Sequence, residues 1–271
     1  MKIAFLGGGN MAHAIIGGLL QKGFSAGGIS VVDVDPAART RLRQQYHVIT
    51  TSDIAEAVSD ARAVVLAVKP QQLHAMAASL RACLSDHLVI SIAAGIRTAD
   101  LSRWLGGYAR IVRAMPNTPA LVLAGVSALY AMQGADEQDR QAAESILESV
   151  GATLWVEQEA LMDAVTAVSG SGPAYVFYIM EAVIQAAEEL GLSAPAARQL
   201  TLDTFYGAAC LARASSESVT LLRERVTSKG GTTERAIRTL DAQQIKQHMA
   251  EAVRQAALRS RELGDELGKA E

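Results

Sequence analysis

The feature that most narrows the fold lies at the start of the chain. Lys2-Ile3-Ala4-Phe5-Leu6 is a short apolar run, Gly7-Gly8-Gly9 follows, and Asn10-Met11-Ala12 opens a stretch with helical spacing. A strand that must turn through glycines into a helix is a G-x-G-x-x-A turn. In it, Gly7 permits the tight reversal, Gly9 lets the backbone approach a pyrophosphate, and Ala12 is small enough for helix and strand to pack closely. The helix start favours the negative charge. The same pattern also serves as a plain structural turn. Its position at the first strand of a β-α-β unit is what gives it a binding meaning.

That unit repeats. Apolar runs at Ile29–Val32, Ala63–Val68, His87–Ile92 and Ile111–Ala114 alternate with helical stretches at Asn10–Gln21, Pro36–Tyr46, Gln71–Cys83 and Thr98–Leu105. Several runs are apolar on both faces, as strands covered by helices on each side must be. The rhythm predicts an α/β fold with a doubly wound parallel sheet. Val126–Tyr130 and Thr153–Val156 extend it around a helix at Asp136–Val150. After Val156 the strands stop. Ser171 reads as an N-cap with Pro173 in the first turn, and Ala174–Leu190 runs unbroken to Gly191. Further helices are predicted from Ser193 to Ala214 and at Ser218–Val226, Thr232–Leu240 and Gln243–Leu267. The architecture changes near residue 157, which predicts a dinucleotide-binding domain at 1–156 and an all-helical domain at 157–271.

Composition excludes several classes. The 271 residues carry 25 Lys and Arg against 28 Asp and Glu, a net charge of −3, so no basic footprint for nucleic acid or anionic lipid exists. Aromatic residues make up only 4%, too few for ring-stacking platforms. Uninterrupted apolar runs stay far below the roughly 20 residues that span a bilayer. Only Cys83 and Cys210 occur, far apart, which fits a reducing cytoplasm and predicts two small buried hydrophobes. The five histidines show no metal-ligand spacing, so no metal site is expected.

Polar loops interrupt the apolar elements. Val68-Lys69-Pro70, Ala93-Ala94-Gly95 and Met115-Pro116-Asn117-Thr118-Pro119 each follow a strand, at the carboxyl edge where a dinucleotide crevice lies. Asp33 and Asp35 end the second strand, where an acid bonds the ribose hydroxyls of NAD. Arg39, Arg41 and Arg43 follow, and such residues either hold the extra phosphate of NADP or form a solvated helix face. Lys69 reads either as a general acid or as a coenzyme contact. A last loop, Val226–Thr233, joins two helices. Its hydroxyls and helix-start N–H groups either bind a carboxylate or act as plain caps. Gly170-Ser171-Gly172 is not a nucleophile elbow, and Lys229-Gly230-Gly231 has the wrong order for a P-loop.

Together these stretches resemble the pyrroline-5-carboxylate reductase family. The matches are Phe5–Met11, Ala67–Pro70, Ser91–Gly95, Arg113–Pro119, Asp163–Tyr175 and Val226–Thr233, in family order along nearly the whole chain. The resemblance implies a Rossmann-type domain followed by an all-α dimerisation domain, an interwoven homodimer or larger ring, and a cytoplasmic enzyme. Its reaction would be reduction of 1-pyrroline-5-carboxylate to L-proline by NADPH or NADH, the last step of proline biosynthesis. By the same resemblance Thr233, with Ser228 beside it, is catalytic. Ser228, Gly231, Thr232 and Thr233 bind the substrate carboxylate. Gly7, Gly9, Asn10, Met11, Asp33, Asp35, Val68, Lys69, Pro70, Ala93, Ala94 and Asn117 bind the coenzyme. Many members carry Pro in place of Lys229, which bears on loop rigidity and local charge. Many also carry small or hydroxyl residues suited to an NADP phosphate in place of Asp33-Val34-Asp35, so NADPH is the family expectation while the two acids raise the chance of NADH use.

Two other readings use the same residues. A β-hydroxyacid or imine oxidoreductase of related fold needs a catalytic lysine or aspartate on the long helix, where this chain offers Glu181 and no lysine. A non-catalytic coenzyme sensor has no need of the Ser228–Thr233 loop.

Overall fold

A computed structural model describes residues 1–269. Eight strands form one sheet: β1 (Ile3–Leu6), β2 (Ile29–Val32), β3 (Ile49–Thr51), β4 (Ala63–Leu66), β5 (Leu88–Ser91), β6 (Ile111–Met115), β7 (Gly125–Ala131) and β8 (Gly151–Trp155). Their order is β3-β2-β1-β4-β5-β6-β7-β8, and every neighbouring pair is parallel except β6 and β7. The sheet is therefore doubly wound but mixed, with its last two strands reversed. β3 and the helix after it, α3 (Ile54–Val58), have no counterpart in the sequence reading, because three half-exposed residues give no readable alternation.

The pleat sorts the core. Ile3 and Phe5 of β1 join one cluster, with Ile15, Ile16 and Leu19 of α1 (Asn10–Gln21), Leu42 of α2 (Pro36–Tyr46) and Ile146 and Leu147 of α6 (Glu137–Leu147). Ala4 and Leu6 join the other, with Leu73, Ala77 and Leu80 of α4 (Pro70–Arg81) and Leu101 of α5 (Thr98–Trp104). Alternate residues of one strand thus serve opposite faces, so β1 and β4 read as unbroken apolar runs.

Past β8 every element is helical: α7 (Leu161–Val165), a π-helical turn at Thr166–Gly170, α8 (Gly172–Glu189), α9 (Ala194–Ala214), α10 (Val219–Arg225), α11 (Thr232–Ala242) and α12 (Ile245–Gly268). Ser171 is not an N-cap. Its backbone is helical and its N–H donates to the Thr166 carbonyl at 2.8 Å, so the π turn carries α7 into α8 with no fresh start.

Contacts group the chain into two compact units: Met1–Ser171 with the chain from Gln255 onward, and Gly172–Arg254. In the first, the end of α12 is tied to α5, to its approach and to α7. Arg97 pairs with Asp265 at 2.7 Å, Arg103 donates to the Gly268 carbonyl at 2.6 Å, and Ser260 donates to Asp163 at 2.8 Å. In the second, only Ala197 and Thr201 are buried. Phe177, Tyr178 and Tyr206 are largely exposed, and so is Cys210, contrary to its expected burial. Cys83 is half-buried. The segment Leu161–Glu189 is, by length and composition, long and apolar enough to cross a membrane, which counting uninterrupted apolar runs overlooks.

Candidate functional site

The strand order reverses between β1 and β4, and ligands of such sheets bind beyond the carboxyl ends of the strands at that point. Gly7, just past β1, adopts φ 102°, and a Cβ there would lie 2.7 Å from the Ala67 carbonyl oxygen past β4. Only glycine permits both the conformation and the approach. Gly9 is the N-cap residue of α1. It has no side chain to cap the helix, and the space a Cβ would enter is open. The first N–H groups of α1, including those of Asn10 and Met11, have no intrahelical partner, as at any helix start. This cradle accepts a phosphate group without steric conflict.

The cradle opens into a cleft of about 420 Å³. Of the expected coenzyme residues, Gly7, Gly9, Asp33, Val68 and Lys69 line it. Ser52, Ile54, Gln72 and Met76 also line it and were missed. The first two follow the unread strand β3. Gln72 and Met76 sit four residues apart on α4, a spacing that could have marked them as one face.

The remaining expected residues lie elsewhere. Asp35 caps α2, accepting the Ala37 N–H at 2.8 Å, and Pro70 opens α4. Ala93 is buried in the second core cluster, and Ala94 is exposed beyond β5. Asn117 is buried with both ends of its amide engaged: Nδ2 donates to the Ser169 carbonyl at 3.1 Å, and Oδ1 accepts the Val126 N–H at 2.9 Å. It ties the loop after β6 to the π turn and to β7. Glu159 is a second tie. Its carboxylate accepts both the N–H and the hydroxyl of Thr98 at 2.7 Å, and pairs with buried Arg113 at 3.0 Å. His13 stacks obliquely near the Tyr46 ring. Burial first, then nearby Arg41, lowers its pKa below the usual imidazole value.

In the helical unit, α10 ends at Arg225 and α11 begins at Thr232. Gly230 turns with φ 74°, and its N–H donates to Glu234 at 2.7 Å. Gly231 is the N-cap residue of α11 and provides no side-chain cap. The hydroxyls of Ser228, Thr232 and Thr233 have no hydrogen-bond partner among the described residues, so none is a plain cap. Three free hydroxyls stand beside a helix start that lacks an N-cap side chain, with the Glu234 carboxylate on the Gly230 N–H next to them. No group of three or more metal-binding side chains occurs among the described residues.

Comparison with known proteins agrees with this arrangement. The family described as pyrroline-5-carboxylate reductase dimerisation matches residues 159–263, and that described as NADP oxidoreductase, coenzyme F420-dependent, matches residues 2–95. A pyrroline-5-carboxylate reductase of Pseudomonas aeruginosa is 45% identical, covering 99% of this chain and 98% of its own. The chain belongs to the pyrroline-5-carboxylate reductase family. Among solved structures of pyrroline-5-carboxylate reductases, that from Coxiella burnetii aligns with a TM-score of 0.93 at 42% identity, covering 97% of this chain and 98% of its own. The Plasmodium falciparum enzyme, solved with NADP bound, aligns with a TM-score of 0.87 at 28% identity over 97% of this chain and 98% of its own. The dimerisation match takes in the exposed apolar helices, and the oxidoreductase match takes in the glycine cradle and cleft. Membership in the pyrroline-5-carboxylate reductase family thus spans both units, with an NAD(P)-dependent oxidoreductase domain at the N-terminus.

Proposed function

We propose that this chain reduces 1-pyrroline-5-carboxylate to L-proline with NADPH or NADH, the closing step of proline biosynthesis. The observation that carries this reading is the uncommitted hydroxyl set Ser228, Thr232 and Thr233 at the bare start of α11, in a chain of this family whose other unit holds a dinucleotide cradle. A sensor has no use for that second site. A related oxidoreductase with a lysine on the long helix is disfavoured because α8 carries Glu181 and no lysine.

When bound, the reduced nicotinamide supplies a hydride to the imine carbon. The chain's own work is to place the reactants and to move one proton. Gly7, Gly9 and the α1 N–H groups of Asn10 and Met11 hold the pyrophosphate, with Val68, Lys69 and Pro70 along the crevice and Ala93, Ala94 and Asn117 supporting its far side. Ser228, Thr232 and Thr233 take the substrate carboxylate through hydroxyl and backbone N–H groups, while the Gly231 N–H donates to the Ser228 carbonyl at 3.0 Å and shapes the turn. The Thr233 hydroxyl lies beside the ring nitrogen and helps deliver its proton, with Ser228 assisting. The imine is electrophilic once protonated, so this assignment asks for no covalent nucleophile.

The functional division is residues 1–156 for coenzyme and 157–271 for substrate and self-association. The helical part forms an interwoven homodimer, able to build larger rings, because its apolar surface has no cover within one chain. Localisation is cytoplasmic, with neither membrane nor nucleic acid as partner. Free Cys83 and Cys210 and the near-balanced charge support this. The test is turnover of the purified full chain. Reduced nicotinamide should be consumed with 1-pyrroline-5-carboxylate present and not without it; no turnover with either coenzyme overturns the proposal.

A further inference from the structure

The family description matched at residues 2–95 names NADP and a related structure holds it, yet the cleft carries a carboxylate at the strand end where folds of this kind meet the adenosine ribose. We infer that this chain selects NADH over NADPH and that Asp33 is the residue responsible. The inference rests on the reductase reading for its biological meaning, but its physical basis is the cleft alone.

Asp33 follows β2 and lines the cleft half-buried. Its Oδ2 accepts the Gly8 N–H and its Oδ1 accepts the Asp35 N–H, both at 2.9 Å. Two backbone donors therefore hold the carboxylate in one orientation at the glycine turn. An ionised carboxylate offers roughly four acceptor positions, so about two remain for a ligand. Ribose hydroxyls are donors and satisfy them. A ribose phosphate offers no donor when ionised and brings negative charge against negative charge.

Each of the three nearby arginines has part of its guanidinium engaged by neighbouring residues. Arg39 donates to the Asp33 carbonyl at 2.6 Å and to the Val34 carbonyl at 3.3 Å. Arg43 donates to the Thr50 hydroxyl at 2.8 Å, and Arg41 stands 3.9 Å from the exposed Asp35 carboxylate. None of the three lines the cleft, where Lys69, beyond β4, is the one cation among the described lining residues. Asp35, spent on capping α2, has no part in the selection.

The experiment is coenzyme binding to the full chain with no imine present, followed by nicotinamide fluorescence or calorimetry. NADH should bind at least tenfold more tightly than NADPH, and equal affinity or the reverse order overturns the inference. Asp33→Asn and Asp33→Ser should each move the affinity ratio at least tenfold towards NADPH. If Asp33 only braces the turn, both affinities fall together and the ratio stays, which also overturns it. Should either variant fail to fold, the unmodified chain still decides through competition by adenosine 2′,5′-bisphosphate against AMP, where AMP should bind the more tightly. Because these titrations contain no substrate, their failure leaves the reductase reading intact, and failure of that reading shows only in turnover.

Discussion

At the scale of single residues, chemistry in this chain turns on which polar groups are already spoken for. Asp33 and Asp35 look equivalent in the sequence, two acids at a strand end, but one faces the cleft and the other caps a helix. The hydroxyls at 228–233 show the converse. Spacing left open whether they were caps, and the structure shows them free at a helix whose N-cap is glycine. A free hydroxyl at the reacting nitrogen contributes as general acid–base groups do, typically 10²-fold or more. Thr233→Ala should therefore lower kcat by about 10²-fold while coenzyme affinity stays within about twofold, because the glycine cradle belongs to the other unit. Thr233→Ser should restore most of the rate. Steady-state kinetics with a parallel coenzyme titration checks this, and unchanged kcat in the alanine variant removes Thr233 from the chemistry.

At the scale of elements, the buried and regular parts were legible, and the parts held by distant partners were not. The strands of the parallel core announce themselves because both faces are apolar, whereas β3 and the π turn have no local signature. α5 has no side-chain cap of its own, and Glu159, 61 residues beyond Thr98, supplies one. The helix α6 is anchored in a similar way. Asp139 is fully buried and accepts from Arg62 at 2.8 Å and from Arg110 at 2.9 and 3.0 Å, tying α6 to the residues that lead into β4 and β6. Burial opposes ionisation of Asp139, but the hydrogen bonds from Arg110 and Arg62 outweigh it and hold its pKa below the usual 3.8. A carboxyl more acidic in the folded state stabilises fully above the unfolded value, and that contribution is lost as pH falls through the folded one. Asp139→Asn should cost about 3 kcal/mol at neutral pH, since two arginines lose their counter-charge. It should also flatten the dependence of stability on pH on the acid side of about pH 4. Urea unfolding across that range checks both effects, and a parallel pair of stability–pH curves would remove Asp139 as the source.

At the scale of the whole molecule, low aromatic content and many small residues read in the sequence as close helix packing, but what the helices pack against was not readable from one chain. Gly172–Arg254 buries only Ala197 and Thr201, while α8 exposes Phe177 and Tyr178 at 59% and 70%. Full burial of a side chain such as Phe contributes about 1.5–3 kcal/mol, so a helical unit that leaves so many uncovered cannot offset its chain entropy alone. The stretch Leu161–Glu189, long and apolar enough by length and composition to cross a membrane, overlaps these exposed faces. The dimerisation match over residues 159–263 supports a second copy as the cover for these faces. If so, folding of this unit is coupled to association, and its melting temperature must rise with protein concentration. Phe177→Glu places a charge in the middle of the covered face. It should shift the sedimenting species to monomer, and circular dichroism should show loss of helix from the C-terminal part. The sheet of the first unit, with its own two-sided core, should remain folded. A Phe177→Glu protein that sediments as wild type, with the same concentration-dependent melting, would take α8 out of the interface.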